Sequence, residues 1–176
     1  MALIAAGLLA LVLQGALATL LVPPWCPDLV LLVLIAIALR WEGLAGGLLL
    51  AATLGYATDL LSGSLLGQHA ILDLFAFSAT LAATRRLNLR GPWPLAFFVA
   101  CVSLIYGIAM LVITGFFIGG APLRWGWLGA QLIHAAVSGA FAPAVSAVIG
   151  LLADWVGDEE SAHRPTTLRG RGGNRA

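Results

Sequence analysis

Long apolar runs separated by short polar turns are the feature that most limits what this chain can become. Leu3–Val22 is stopped by Pro23-Pro24, and Leu29–Leu39 follows a Cys26-Pro27-Asp28 start. Leu44–Leu61 ends in Ser62-Gly63-Ser64, and Gln68–Thr84 ends in Arg85-Arg86. Leu95–Ile118 lies beyond the hard break Gly91-Pro92-Trp93-Pro94, and Leu128–Leu152 contains Pro143. A membrane-crossing helix needs about 20 apolar residues at about 1.5 Å each. The runs do not alternate as barrel strands do. They predict an all-α, polytopic integral membrane protein with six transmembrane helices, over a membrane domain 1–153 and a disordered cytoplasmic tail 154–176.

Composition agrees. Only 10% of the residues are charged and 61% are hydrophobic, with a mean hydropathy of +1.00. A soluble domain carries about 25% charged residues; a soluble chain of this kind would lack polar surface to cover its core. The second run is short. It spans only if Trp25 and Trp41 mark the two interfaces and Arg40 snorkels outward. Asp28, directly after Pro27, suits the first turn of that helix. The first run resembles a signal peptide at Ala16-Leu17-Ala18, but it has no basic leading segment and is too long.

All nine basic residues are Arg. With six crossings, Arg40, Arg85, Arg86, Arg90, Arg164, Arg169, Arg171 and Arg175 fall on one side and Arg124 on the other. The positive-inside rule then puts both termini in the cytoplasm. The tail's arginines could attract anionic lipid, although Asp158, Glu159 and Glu160 dilute them. Nothing resembles a basic groove interleaved with aromatics, so nucleic acid is not an expected partner. Cys26 and Cys101 belong to different depths and are not expected to pair.

Within the third run, Gly43, Gly47, Ala51, Gly55 and Asp59 fall four apart and form one i, i+4 ridge on a helix. Such a ridge predicts close helix packing, against this chain or a partner. Asp59, His69 and Asp73 are ionisable groups in an apolar setting, which costs about 2.5–3.5 kcal/mol each at mid-helix. A metal site or proton relay is one reading of them. The other is a hydrogen-bonded clamp, with Asp59 accepting from the backbone N–H groups of Ser62 to Ser64 or from the start of the fourth helix. Gln131, His134 and Ser138 share a stretch of the sixth run and either line a cavity or, the favoured reading, make hydrogen bonds between helices. Gln14 is a further isolated polar site. No nucleophile set, aspartyl-protease pair or phosphate loop is present, so catalysis and a cofactor are not expected.

Cys26-Pro27-Asp28-Leu29-Val30-Leu31-Leu32, followed after the ridge by Asp59-Leu60-Leu61-Ser62-Gly63-Ser64-Leu65-Leu66-Gly67, resembles the rod shape-determining protein family MreD. The six-run layout and Pro143 in the last run are similar as well. The specific part covers about Pro27 to Thr84. The resemblance implies a non-enzymatic bacterial inner-membrane protein of the cell-elongation (rod) complex, involved in cell shape and peptidoglycan synthesis. It implies an MreC-like single-span partner, with MreB, RodA and a class B penicillin-binding protein in the same complex. It also implies a fold similar to the substrate-capture S components of ECF vitamin transporters, and such a subunit is the alternative reading. The His69 and Asp73 pair is not part of the family pattern.

Overall fold

The computed structural model describes residues 2–22, 24–40, 44–89, 91–118 and 125–162. Six helices follow one another: α1 (Ala2–Leu20), α2 (Leu29–Ala38), α3 (Leu44–Ser62), α4 (Gln68–Thr84), α5 (Pro92–Ile118) and α6 (Trp125–Ala162). Their ends follow local chemistry. Asp28 is the N-cap of α2, accepting from Leu31 N–H at 3.1 Å. Gly63 follows α3 at φ +64°, the left-handed conformation that glycine adopts cheaply after a helix. Pro92 opens α5, where its missing N–H costs nothing.

Three helical stretches are long and apolar enough to cross a membrane: Leu44–Ser62, Pro92–Phe117 and Gly126–Trp155. Exposed apolar side chains cover the outside, among them Leu9, Val12, Leu49, Phe97, Val112 and Phe116. A surface of that kind needs an apolar surrounding, as in a membrane protein. α2 differs from the expected pattern. At ten residues it is about 15 Å long, half of a hydrocarbon core. Val30 through Ala38 are all buried within the bundle. A helix that is apolar all round is a core helix, and α2 is packed mainly against α1, α4 and α6. Arg40, just beyond it, does not simply reach outward: its Nη1 donates to Ser146 Oγ of α6 at 3.1 Å.

The ridge packs inside this chain. Gly47, Ala51, Gly55 and Asp59 are all buried, and α4 is the helix they face. A Cβ on Gly47 would run into the ring of Phe77, itself fully buried. A Cβ on Gly55 would lie 2.6 Å from Ala70 Cα and 2.7 Å from His69 O, which are backbone and cannot swing away. The small residues therefore allow α3 and α4 to approach closely, as glycine does between membrane helices. Gly43, the first ridge position, lies outside the described residues. Gly139 plays a similar part between α6 and α5, beneath Ala96 O and Ala100.

Three expected helix boundaries differ. α5 begins at Pro92, inside the stretch read as a hard break, because proline is tolerated in a helix's first turn. α6 begins at Trp125 rather than Leu128, and it continues past Leu152 to Ala162, since Asp154–Ala162 contains no proline to break it. Pro143 sits inside α6 without ending it. The remaining tail from 163, with Arg164, Arg169, Arg171 and Arg175, lies outside the described residues, as do Trp41, Arg90 and Arg124. Cys26 and Cys101 are both free thiols.

The packing makes a graded prediction for glycine substitutions. Gly55→Ala places a methyl against backbone and should lower the thermal stability of the purified protein by about 1–3 kcal/mol. Gly15→Ala meets open space on α1 and should be neutral or stabilising by up to about 1 kcal/mol. Equal melting temperatures for the two variants would refute the close α3–α4 approach.

Candidate functional site

The buried carboxylate of Asp59, 1% exposed, is the centre of the best-defined polar cluster. It sits one turn before the end of α3, and the chain then reverses through Gly63 and Gly67. Gly67 is the N-cap residue of α4, at φ +89°, and has no side chain with which to cap it. The free N–H groups of the first turn of α4 need acceptors from elsewhere. Asp59 supplies them. Its Oδ2 accepts from Gly67 N–H at 2.8 Å and from Ala70 N–H at 3.4 Å, and its Oδ1 accepts from His69 N–H at 3.0 Å.

Two side chains complete the cluster. Ser64 Oγ donates to Asp59 Oδ1 at 2.9 Å, and His69 Nδ1 lies 2.8 Å from the same oxygen. An ionised carboxylate only accepts, so the donor in this pair is the Nδ1–H of His69. Ser62 Oγ donates to Ser64 Oγ at 3.0 Å and holds the turn itself. The carboxylate also meets the positive end of the α4 dipole. Asp59 takes its backbone donors from the start of α4, and the Ser62–Ser64 turn contributes through the Ser64 hydroxyl.

The expected trio of Asp59, His69 and Asp73 divides. His69 joins Asp59, whereas Asp73 points to α5 and accepts from Tyr106 O–H at 3.0 Å. The His69 and Tyr106 rings lie 6.2 Å apart, centroid to centroid. Beside them Gln68 Nε2 donates to Met110 O at 3.1 Å and Thr114 Oγ1 at 3.0 Å, tying the start of α4 to α5. Among the described residues, no three His, Cys, Asp or Glu side chains converge as metal ligands.

A second cross-helix cap lies at α2. Gln14 Oε1 of α1 accepts from Val30 N–H at 2.9 Å, and Ser138 Oγ of α6 accepts from Asp28 N–H at 3.3 Å. Pro27 beside them is buried. Gln131 Nε2 donates to Ser103 O at 3.2 Å and covers Gly107, so it bonds between α5 and α6 as expected. His134 lines a small cleft of about 200 Å³ with Gln14, Ala18, Cys26, Pro27 and Asp28. Burial, and then the charge of Asp28, push the Cys26 thiol up, which favours its protonated form.

Sequence reasoning did not give roles to Gln14, Gln68 or Tyr106. Each is a polar side chain at an apolar run, and that rarity is the available signal. Their acceptors and donors are largely backbone groups or residues on distant helices, which spacing does not disclose. No protein-family model matches the chain, and no curated protein or solved structure matches it.

The cap predicts an ordered series. Asp59→Ala strands the Gly67 and His69 N–H groups and should cost about 3 kcal/mol or more. Asp59→Asn keeps one acceptor oxygen and should cost less, about 1–2 kcal/mol. Denaturation of the purified protein in detergent checks the order. Wild-type stability in Asp59→Ala would remove the carboxylate from any structural role.

Proposed function

We propose that this chain is a non-enzymatic inner-membrane scaffold of the bacterial cell-elongation complex, of the MreD kind. In this reading the chain passes from one membrane face to the other six times, the short α2 doing so inside the bundle together with its flanking segments, with both termini in the cytoplasm and a fold similar to ECF S components. It contributes to cell shape and peptidoglycan synthesis by holding an MreC-like single-span protein, with MreB, RodA and a class B penicillin-binding protein in the same assembly.

The observation that carries this reading is what becomes of the Asp59–Gly67 run. Asp59, Ser62, Gly63, Ser64 and Gly67 all take part in one turn that fixes α4 onto α3. The run behind the resemblance is thus a working structural unit rather than a chance string. The buried polar groups around it are engaged in capping and in bonds between helices, a mechanical use that suits a scaffold. Because the ridge packs on α4, a partner helix meets another surface. The outward faces of α1 and α5, with Leu9, Val12, Ile108 and Val112 exposed, offer apolar area for it.

The transporter reading has weaker support. The cleft between Gln14, Asp28 and His134 has about 200 Å³, and the cleft of about 360 Å³ beside Tyr106 is lined almost wholly by apolar side chains, without the converging polar groups that orient a small molecule. Affinity capture of the tagged full chain from its native membranes separates the two. The scaffold reading expects a single-span MreC-like protein among the recovered proteins, and rounded cells on depletion. Recovery of transporter ATPase subunits with a bound vitamin, and normal rod shape on depletion, would replace it.

A further inference from the structure

At the end of the bundle opposite the Asp59 turn, three arginines share one cleft. It has a volume of about 650 Å³ and is lined by Arg40, Thr84, Arg85, Arg86, Leu95 and Ser146, among others. Three separate parts of the fold therefore meet there: the end of α2, the end of α4 with the start of α5, and α6. A second cleft of about 380 Å³ adjoins it and shares Leu39, Arg40, Thr84 and Arg85. Arg40 and Arg85 thus line both clefts.

Arg40 is held in place. Its Nη1 donates to Ser146 Oγ at 3.1 Å. The guanidinium also lies over Gly150, where a Cβ would come within 2.6 Å of Nη2. A larger residue at 150 would push it away. A guanidinium has five N–H donors, so this anchoring leaves donors for a ligand. Among the described residues no carboxylate pairs with Arg40, Arg85 or Arg86; the ion pair found is His69–Asp59 at the far end. Glu42, the nearest acid in sequence to Arg40, lies outside the described residues.

Three like charges around one concavity repel each other unless an anion joins them. Arginine's planar fork matches the oxygens of a phosphate and binds them in pairs. Basic pockets between helix ends at a membrane surface are a recognised setting for anionic headgroups. We propose that this cleft is a binding site for a phosphate ester, with Arg40, Arg85 and Arg86 as its cationic ligands and Ser146 positioning Arg40. The phosphodiester headgroup of an anionic phospholipid and a soluble phosphate ester share that chemistry.

The test uses the purified full chain in nanodiscs of phosphatidylcholine containing 10% phosphatidylglycerol, with retained lipid identified by native mass spectrometry. A parallel arm adds glycerol phosphate to protein in neutral detergent and follows the melting temperature. The site predicts preferential retention of phosphatidylglycerol, falling about fivefold for each arginine removed in Arg40→Gln and in Arg85→Gln with Arg86→Gln. Ser146→Ala, which keeps every charge, should lower retention by less than Arg40→Gln does. Substituting Arg169 and Arg171 in the tail should leave retention unchanged, which separates this cleft from general basic charge.

Stabilisation by glycerol phosphate without any lipid preference would assign the same arginines to a soluble ester. Circular dichroism checks that each variant is folded, and Ser146→Ala carries the test if an arginine variant is not. Equal retention of both lipids with no response to glycerol phosphate would overturn the proposal. So would a preference that survives loss of all three arginines, or equal losses from the cleft and tail substitutions.

Discussion

One carboxylate in an apolar bundle holds the start of a helix that has no cap of its own. Gly67 turns the chain at positive φ, a conformation that favours glycine, and glycine has no side chain with which to cap the helix. Asp59, eight residues earlier and on another helix, takes that role. In water an exposed N-terminus would be solvated at little cost. Asp59 is 1% exposed, and where the amides it caps are shielded from water an unsatisfied N–H costs about 1–3 kcal/mol. The cap therefore matters more than it would at a fully solvated helix end, and it sets where α4 begins relative to α3.

The ridge and the cap depend on each other. Gly47, Ala51 and Gly55 permit the backbones to approach, and the approach brings Asp59 within reach of Gly67 and His69. A wider separation at Gly55 would draw the carboxylate away from those amides. The same solution appears at α2, where Gln14 reaches from α1 to Val30 N–H while Asp28 caps Leu31. Two helix starts are thus secured by the helix before them. Polar groups hold the helix ends, and apolar packing around α2 and Phe77 fills the middle.

Much of this was legible in the sequence, for identifiable reasons. Six apolar runs gave six helices, since proline, glycine and arginine punctuate them locally. The four-residue spacing of the ridge disclosed a packing face but not its counterpart, because the same small residues suit any neighbour. Asp28 is legible as an acid belonging to the start of α2, since it acts on its own helix; its place just before the first turn, as the N-cap, comes from the fold. Asp59 was recognisable as a buried acid, and only the fold chose between its two candidate sets of donors. Tyr106 and Gln14 act across helices, and such pairs leave no periodic trace. The depth of α2 was also hidden. A ten-residue apolar run can be a core helix or part of a longer span, and only its neighbours decide.

Amide hydrogen exchange at Gly67 and His69, resolved residue by residue in the purified protein, tests the cap most directly. Both sit at a turn where uncapped N–H groups exchange quickly. With Asp59 accepting from them, their exchange should be slowed to the level of mid-helix amides in α4, and Asp59→Asn should release Gly67 in particular. Exchange of both at the rate of an open turn in the wild-type chain would contradict the account.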